Sequence, residues 1–579
     1  SANQGVSNNF VTNYSGENWG SITSLSISKF GDIKMGEKRE HGFKSWGLTP
    51  LYSENSRYSY YSQASTNSDE NIQKNTNYSQ VDLFQKFLLK LGDTNLLNVN
   101  IQFSESSDID RYDQLSLTKD GGLKFSEWYY GPQKRFLISP SLKIFPNRKF
   151  MKKGAVTFGF QKINESRIKR KFNTLNRSHQ IEDLKVFSLN GDFDTSFNNG
   201  HSISYGVEST YNYNYSKAYD QTLEIEGNQL TGLSKKFAIP TRYPSNGSSY
   251  TSFASYLNWS WNMSEFFTFN VGTRLTFTGL KASWNDVISV NPQLSEVNLN
   301  SKALTTTVSI KLRPSKRVQI NTVLSSGFRN PNIDDIGKIR ENNGLLVVPN
   351  TFLKPEYAYN LDLGIDFRSL NNTNYISLRG FSTIISRHIG RDEYTVFSDI
   401  TTPDLSTIIY NGEEVTTISN KNLGNRFIHG FSIDGFSKIM NNLKFDFGLT
   451  YTKGDNNDTY GPLPSISPLF GSVAFSYNKR GLNLRAVYKF SEAKNPSEYS
   501  FGGEDGLDET PFLINNEGLL TYLGTPKWSD LSIYGSKNIS SNVTLRLGLT
   551  NVFDSHYRTF ASGISAPGRS FHLGLNLKL

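Results

Sequence analysis

Aromatic and cationic side chains lie close together in the stretch SEWYYGPQKR, residues 126–135. Trp128, Tyr129 and Tyr130 provide flat π faces, and Arg135 provides a positive charge shortly after them. Aromatic faces beside a cation suit a flat ligand that is anionic or that carries a chelated metal. Tyrosine and tryptophan also gather at membrane interfaces, so the sequence leaves open a ligand contact or an interfacial belt.

A long polar loop, residues 493–526, provides further candidates of the same kind. Tyr499 and Tyr522 lie in this loop, and the choice between ligand contact and interfacial belt is open for both. His388 adds an imidazole in or near another outer loop, although a lone histidine there is more often a surface residue than a ligand. We include these three side chains among the candidate substrate contacts.

The sequence holds no recognisable catalytic constellation. A phosphate-binding loop, an H-E-x-x-H motif and a G-x-S-x-G motif are all absent. Cysteine is absent too, which excludes disulfides and thiolate metal sites. We therefore predict that the protein is not an enzyme, and we assign it no cofactor and no metal site.

Apolar and polar residues alternate with a period of two along most of the chain. In residues 443–451 the odd-numbered positions are apolar or aromatic, while Lys444 and Asp446 point the other way. Such strands run for about ten residues or more, against about 5–6 in soluble sheets, and a tilted strand of about 9–11 residues crosses a bilayer. Short turns join the strands in pairs, and long polar loops separate the pairs. We predict an all-β fold, a large transmembrane antiparallel β-barrel with short periplasmic turns and long extracellular loops.

The polar face of each strand should point into the barrel lumen. A charged side chain on the lipid face costs about 2–4 kcal/mol at mid-bilayer, so charges are expected on the inner face. There they could satisfy one another and water, or they could line a substrate path. The predicted lumen-facing charges are Arg274, Lys444, Asp446, Arg485 and Arg546.

The composition agrees with a barrel. Only 36% of the 579 residues are hydrophobic, and the mean hydropathy is −0.47, which is low for a soluble chain of this length. In a closed barrel only the outer face meets lipid, and every backbone polar group is paired around the ring. The sequence has no run of 18 or more apolar residues, so no transmembrane helix is expected.

The net charge is +9, but lysine and arginine are scattered along the chain. A nucleic-acid partner is therefore not expected, since such a partner calls for a concentrated basic segment. Two short clusters stand out, RIKRK at residues 167–171 and NRKFMKK at residues 147–153. Such clusters suit solvated turns and loops, and they also suit contact with anionic lipid head groups.

The strands can be counted backwards from the C-terminus. Ten pairs of strands and a closing strand near residues 569–579 give twenty-one. Antiparallel bacterial barrels usually have an even number of strands. We predict one further ascending strand before Ser1, which makes about 22, although a missed or split strand would also explain the odd number. Without that strand, the closing strand would have an unpaired edge or would pair in parallel with residues 3–14.

The C-terminal part resembles TonB-dependent outer-membrane receptors. Residues 549–579 are similar to the closing hairpin of that family, and the segments SSGFRNPNIDDIGK, FLKPEYAYNLDLGIDF and GPLPSISPLFGSVAFSY resemble three further family boxes. Arg329, in the first of these boxes, joins the candidate substrate contacts. The first half of the chain resembles members from Bacteroidetes-like bacteria. The matching residues of the closing hairpin are Asn551, Phe553, Asp554, Tyr557, Pro567, Gly568, Arg569 and Phe571.

The resemblance implies that residues 1–579 are the barrel domain of such a receptor, in the outer membrane of a Gram-negative bacterium. A plug domain, a TonB box and the first strand are expected outside this chain, and the plug is expected to contact the lumen-facing charges. The implied function is TonB-dependent active import of a scarce nutrient, a ferric siderophore or a similar metal chelate. The expected partners are outer-membrane lipid and lipopolysaccharide, TonB through the missing N-terminal region, the small-molecule chelate, and a surface lipoprotein or larger outer-membrane complex.

Three alternatives stay open. The first is a receptor for haem or a haemoprotein, although haem receptors of this family carry a histidine between two of the boxes, and residues 330–352 contain none. The second is a barrel that has lost transport and serves as a subunit of an outer-membrane complex. The third is an open porin.

Overall fold

The structure is a computed structural model that describes residues 2–119, 121–146, 148–285, 295–342, 344–396, 406–410, 412–457, 459–516 and 518–579. Within these residues, twenty-one long strands follow one another in a single antiparallel sheet. Strands β1 to β21 span Val6–Ser15, Trp19–Phe30, Tyr78–Leu91, Asn95–Ser106, Lys134–Ile144, Lys153–Lys171, Asn176–Ser196, His201–Glu226, Ser248–Asn262, Phe267–Ser283, Glu296–Ser315, Val318–Arg329, Glu356–Arg368, Asn374–Ser386, Arg426–Met440, Leu443–Gly454, Phe470–Lys479, Leu482–Ser491, Trp528–Asn538, Val543–Thr550 and Ser570–Leu577.

Short strands and helical segments lie in the connections between the long strands. Strands that join the main sheet are Ile109–Asp110, Phe125–Tyr130, Gln229–Leu233 and Phe237–Ala238. Strands of small separate sheets are Ile33–Lys34, Leu51–Tyr52, Ser65–Thr66, Ile72–Gln73, Thr118–Lys119, Gly122–Leu123, Arg340–Asn342, Leu345–Val347, Ile389–Glu393, Thr407–Tyr410, Glu413–Asn422, Asn456–Asn457, Gly461–Pro462, Phe512–Ile514 and Leu520–Tyr522. The helical segments are Tyr112–Leu115, Ile333–Ile336, Pro496–Glu498 and Leu507–Glu509. No helix in the part of the chain that the structure describes is long and apolar enough to span a membrane.

The alternation in the sequence becomes an apolar outer surface. In β10, Leu275 and Phe277 are exposed on the outer face, whereas Thr276 between them is buried. The register places Phe253 of β9 opposite Phe277, and Leu304 of β11 opposite Leu275. Cross-strand neighbours share a face, so these side chains build a continuous apolar band. The predicted all-β fold, a large antiparallel sheet with few helices, is confirmed.

The two ends of the strands differ, as predicted. At one end the connections are tight, and the turn between β17 and β18 consists of Arg480 and Gly481, with φ of +50° and +73°. Positive φ at both central residues is the backbone of a type I′ hairpin, which matches the twist of the strands. At the other end β7 and β8 reach lengths of 21 and 26 residues. These lengths exceed the need of a bilayer crossing, so both strands extend into the outer medium.

The outer loops have a hydrophobic core of their own. Its helix, Ile333–Ile336, begins with a capping box: the Asn332 side chain accepts hydrogen bonds from Asp334 N and Asp335 N at 2.8 and 3.0 Å. Asp335 Oδ2 in turn accepts a hydrogen bond from Asn332 N at 3.0 Å. Ile336 of this helix is fully buried. The buried residues of the loop core include Leu280, Trp284, Ile339, Leu346, Val348, Leu353, Ile389 and Val415.

The residues of the closing motif build a tight corner between β20 and β21. Asn551 Nδ2 donates a hydrogen bond to the Pro567 carbonyl oxygen at 3.0 Å. Asp554 Oδ1 accepts a hydrogen bond from Arg569 N at 2.8 Å. A Cβ atom on Gly568 would lie only 2.8 Å from this Asp554 oxygen and from a backbone oxygen of the first outer loop. Glycine at this position therefore permits the close approach of the two chain ends.

Aromatic residues of the same motif anchor the corner. The Tyr557 ring stacks on the Trp528 ring of β19, with ring centroids 4.5 Å apart. Phe553 is exposed at the corner. Phe571 begins the outer apolar row of β21, and the members that follow it, all exposed, are Leu573, Leu575 and Leu577. The last strand therefore presents the two-faced pattern that its sequence predicted.

A seam separates β1 from β21. Both strands run in the same direction, because an odd number of antiparallel strands follow one another. Among the described residues, β1 pairs only with β2, and β21 pairs only with β20. At the outer end of the seam, Ala2 N donates a hydrogen bond to Ser570 Oγ at 2.8 Å. Of the two arrangements that an odd count allows, the structure has the unpaired one.

Candidate functional site: a basic cavity among the outer loops

A cavity of about 380 Å³ lies among the outer loops, and we call it the basic cavity. Its lining includes the aromatic residues Trp128, Tyr130 and Tyr410, and, among the residues that the structure describes, a single acidic residue, Glu341. Six lining residues are cationic, and this excess of positive charge suits a ligand with several anionic oxygens. The six cationic residues are Arg111, Lys124, Arg167, Lys169, Arg242 and Arg340.

The strand Phe125–Tyr130 positions the aromatic side of the basic cavity. It pairs with the outer end of β6, with Trp128 opposite Lys169 and Tyr130 opposite Arg167. Side chains that are opposite across an antiparallel pair point to the same face. The pairing therefore sets two aromatic rings and two cations side by side on the cavity wall.

A buried ion-pair triad holds this strand from its other face. Glu127 Oε1 accepts hydrogen bonds from Arg170 Nε at 2.8 Å and from Arg177 Nη2 at 3.0 Å. Glu127 Oε2 accepts one from Arg177 Nε at 2.7 Å. The side chains of Glu127 and Arg170 are only 1% exposed. Charges buried this deeply persist only when they are paired and hydrogen-bonded, so the triad fixes the strand relative to β6 and β7.

Arg111 ties the aromatic rings together. Its Nη1 donates a hydrogen bond to the Tyr130 hydroxyl at 2.9 Å, and its Nε donates one to Asp113 Oδ1 at 2.7 Å. The Arg111 guanidinium lies 4.8 Å from the ring centroid of Trp128, and that of Arg167 lies 5.4 Å from the Tyr130 ring. These cation–π contacts keep the positive charges at the wall of the cavity.

Arginines from further outer loops add positive charge to the cavity. Burial, and then the neighbouring cations Arg391, Arg242 and Arg111, lower the pKa of Arg340. Arg167 Nη1 and Arg242 Nε are buried and have no hydrogen-bond partner among the described residues. Buried donors are normally satisfied, so an anionic oxygen in this cavity would find unused donors.

A hairpin of the strands Thr407–Tyr410 and Glu413–Asn422 reaches the cavity at one side. Glu413 Oε1 lies 2.8 Å from Lys119 Nζ and 3.1 Å from Lys171 Nζ, so the hairpin is tied to β6 and to a neighbouring loop. Hydrogen bonds from these two ammonium groups lower the pKa of Glu413 to about 2. The same hairpin carries Tyr410 to the cavity wall. We call this three-residue contact the Glu413 latch.

A second cavity, of about 550 Å³, lies beside strands β15 to β18. Its lining includes the rings of Trp528 and Phe560, and its charged residues are Asp434 and Lys489. This cavity is larger than the basic cavity, but its charges balance. It has no electrostatic preference of its own, and we therefore take the basic cavity as the candidate functional site.

The structure brings two of the predicted substrate contacts into the basic cavity, Trp128 and Tyr130. Tyr129 lies between them, but it faces the other side of the strand and is buried. Arg135 lies outside the cavity, where its Nε and Nη2 donate hydrogen bonds to Gln161 Oε1 at 3.1 and 2.9 Å.

The remaining predicted contacts do not line the basic cavity. Arg329 forms an ion pair with Asp335 of the capping box. His388 is buried, with Nδ1 3.1 Å from Glu356 Oε2. The Tyr499 hydroxyl lies 2.6 Å from Thr525 Oγ1 in a buried position. Tyr522 packs against Phe512 in the hairpin of the last long loop. The role of these four side chains in ligand binding stays a prediction.

The predicted lumen charges form small ion-paired groups. Arg274 lies 3.2 Å from Glu208. Asp446 lies 2.5 Å from Lys444 and 3.3 Å from Arg485, whereas Arg546 is exposed. These contacts show how the charges satisfy one another, and a substrate path along them stays a prediction.

Sequence reasoning missed most of the cationic wall. Arg167 and Lys169 lie in the RIKRK cluster, and their spacing of two on a strand was the available signal for a shared face. Arg111, Arg242 and Arg340 come from three separate loops. Nothing local in the sequence indicates that these loops meet.

The family model for "TonB dependent receptor-like, beta-barrel" matches residues 9–552. The chain therefore belongs to this family, and it is a β-barrel of the Gram-negative outer membrane. The likeness to Bacteroidetes-like members stays a prediction.

Relatives and solved structures agree with this assignment. The Hemoglobin and hemoglobin-haptoglobin-binding protein A of Haemophilus influenzae is 23% identical over 258 residues, which are 44% of this chain and 23% of that protein. The chain thus matches about a quarter of the length of that relative. The Copper transporter OprC superimposes with a TM-score of 0.69 at 12% identity, over 99% of this chain and 77% of the other. The siderophore receptor PirA from Acinetobacter baumannii gives a TM-score of 0.66 at 14% identity, over 99% and 77%. At these identities the structural likeness shows the fold alone.

Proposed function

We propose that the protein is a TonB-dependent importer and that its basic cavity captures an anionic metal chelate such as a ferric siderophore. The observation that carries this proposal is that the described lining residues of the cavity include six cations and one carboxylate, with aromatic rings in the same wall. Metal chelators bind iron through negatively charged oxygens. A chelate with such oxygens at its rim would accept charge-assisted hydrogen bonds from guanidinium groups, and its flat parts would pack on the rings.

The import step follows from the position of the site in this proposal. A ligand held among the outer loops lies at the outer mouth of the barrel, and the lumen leads inward past the ion-paired groups around Asp446 and Arg274. Opening of a plug by TonB, with energy from the inner membrane, would then release the ligand inward. The barrel itself performs no chemistry. Contacts with lipopolysaccharide and with a surface lipoprotein or larger complex stay predictions.

A second candidate ligand is haem or a haemoprotein. It is favoured by the similarity to a haemoglobin-binding protein of Haemophilus influenzae. The cationic wall also suits the two carboxylates of haem. His388, the predicted imidazole, is held by Glu356 away from the basic cavity, so this ligand would bind without it.

Binding to the purified full-length protein tests both candidates. We would titrate a ferric tris-catecholate and, separately, haem, and follow tryptophan fluorescence. Arg242→Gln should raise the Kd of the catecholate about tenfold, because it removes a charged donor from the cavity. Lys235→Gln, which changes an exposed loop cation, should leave the Kd unchanged. If no anionic ferric chelate binds, or if both variants bind it as the wild type does, the siderophore proposal is wrong. Tight binding of haem alone would favour the second candidate.

We also propose that an ascending strand outside this chain fills the seam and that a plug precedes it. The two edge strands run parallel, and one antiparallel strand between them would satisfy the backbone groups of both edges. The mass of the mature protein from its native membrane tests this. It should exceed the 65.3 kDa of this chain by that of more than about one hundred residues. A mature mass of 65.3 kDa would contradict the proposal.

A further inference from the structure

A basic turn joins β5 to β6 at the periplasmic end of the barrel. We define it as residues 148–153, and Asn147 of the predicted NRKFMKK cluster lies outside the described residues. The turn contains no acidic residue. Lys153 lies 3.4 Å from Asp194, whereas no carboxylate of the described residues lies within ion-pair distance of the Arg148 or Lys149 side chain. The exposed cations of the basic turn are Arg148, Lys149, Lys152 and Lys153.

The basic turn also carries an exposed aromatic ring. Phe150 is 71% exposed, and Lys149 Nζ lies 5.6 Å from its ring centroid. Phe145, shortly before the turn, is exposed, and so are Val156 and Phe158 on the outer face of β6. The apolar band of the barrel therefore continues into the turn. Aromatic rings and long cationic side chains at such a level are typical of the membrane interface.

Hydrogen bonds hold the basic turn in one shape. Arg148 N donates to Met151 O at 2.9 Å, and Met151 N donates to Arg148 O at 3.1 Å. The carbonyl of Lys149 accepts a hydrogen bond from Thr195 Oγ1 at 2.8 Å, and that of Phe150 accepts one from the Tyr205 hydroxyl at 3.0 Å. The backbone is thus fixed while the charged heads stay exposed, which lowers the entropy lost on binding.

We propose that the basic turn binds the phosphate groups of anionic phospholipids in the periplasmic leaflet, with the Phe150 ring inserted beside their acyl chains. Charge complementarity and continuity with the lipid-facing band select this occupant. Lysine and arginine near an anionic leaflet each contribute measurably to binding. A second patch has the same makeup: Lys479, Arg480 and Lys537 lie with the exposed Ile539 at the turns after β17 and β19, and Lys537 Nζ donates to Arg480 O at 3.1 Å.

The test uses the full-length protein in neutral detergent micelles. Dioleoylphosphatidylglycerol or dioleoylphosphatidylcholine is titrated in, and native mass spectrometry counts the lipids bound. The turn variant combines Arg148→Gln, Lys149→Gln and Lys152→Gln. The control variant combines Lys44→Gln, Lys235→Gln and Lys354→Gln, three exposed cations of the outer loops. Heat-modifiable mobility on gels verifies that both variants are folded.

We expect the apparent affinity for phosphatidylglycerol to fall about tenfold in the turn variant and to stay unchanged in the control. In the wild type, high salt should weaken phosphatidylglycerol binding, since exposed charges are screened. Phe150→Ala should also weaken phosphatidylglycerol binding relative to the wild type, but the binding should still depend on salt. The proposal is overturned if the turn and control variants bind alike, or if salt has no effect on the wild type.

Discussion

Strand β6 carries a basic segment at each end, and the two segments differ in their burial and in their surroundings. At the outer end, residues 167–171, the charges divide between the two faces of the strand: Arg167 and Lys169 line the basic cavity, and Arg170 is buried in the triad. At the periplasmic end, the basic turn leaves all four of its cations exposed. Similar composition therefore produces the wall of a cationic cavity in one place and a fully exposed basic surface in the other.

The difference comes from the elements that pack against each segment. The outer segment pairs with the strand Phe125–Tyr130, which supplies the carboxylate of Glu127 for Arg170 and the ring of Tyr130 for Arg167. The basic turn lies beside a short connection that supplies backbone and hydroxyl groups only, apart from Asp194. A basic run in a sequence thus acquires its role from partners that are remote along the chain.

The largest expected effect is at the triad. Glu127→Gln should destabilise the outer region by about 3–5 kcal/mol, because two buried guanidinium groups would lose their only carboxylate partner in the triad. Hydrogen exchange of amides 125–130 and the urea unfolding midpoint would measure this. The control is Glu105→Gln, which breaks the half-exposed ion pair of 2.7 Å with Lys134 and should cost less than about 1 kcal/mol. If the two variants lost equal free energy of unfolding, the buried triad would stabilise the protein no more than an exposed ion pair does.

The next effect is on ligand binding. Arg167→Gln should raise the Kd for a ferric tris-catecholate about tenfold, because the cavity wall loses a cation whose Nη1 is unpaired among the described residues, although its Nη2 pairs with Glu165. Arg148→Gln, at the other end of the same strand, should leave that Kd unchanged. Both values come from the fluorescence titration described above. A loss of affinity in both variants would mean that net charge attracts the chelate, not the cavity.

The fold could be predicted from the sequence because each strand and each tight turn of the barrel has a signal in its own short stretch of residues. Each strand is identified by period-two alternation and by a short turn. In lipid, every backbone polar group must be hydrogen-bonded to a neighbouring strand. The turn of Arg480 and Gly481 and the alternation in β21 are examples, and the predicted ten pairs with a closing strand equal the twenty-one long strands observed among the described residues. The unpaired seam follows from the same count.

The candidate site could be predicted only in part. Trp128 and Tyr130 were found because aromatic rings and charges are adjacent in the sequence. Arg111, Arg242 and Arg340 were missed because the packing of separate loops brings them together. Such packing leaves no regular pattern in the sequence. His388 lies apart from the basic cavity, with its Nδ1 3.1 Å from Glu356 Oε2 in a buried pair, and its role in ligand binding stays a prediction.

A smaller effect should appear with pH at the Glu413 latch. The pKa of Glu413 is lowered to about 2, below an ordinary value of about 4.3. The latch is therefore fully stabilising above about pH 4.5 and weakens as the pH falls toward about 2, because protonation removes both ion pairs. Chelate affinity between these values should fall severalfold in the wild type. Glu413→Gln should show the weakened affinity already at neutral pH and no such decline, and a parallel decline in both proteins would assign the pH effect to another group.

The smallest effect should come from the basic turn itself. The double variant Arg148→Gln with Lys149→Gln should change the free energy of unfolding in neutral detergent by less than about 0.5 kcal/mol, since both side chains are exposed and have no ion-pair partner among the described residues. Urea titration in dodecylmaltoside measures this, and repetition with added phosphatidylglycerol should reveal a difference. A large loss in neutral detergent would mean that these cations support the β5–β6 connection directly. Both basic segments of β6 would then stabilise the protein itself, and they would differ only in their degree of burial.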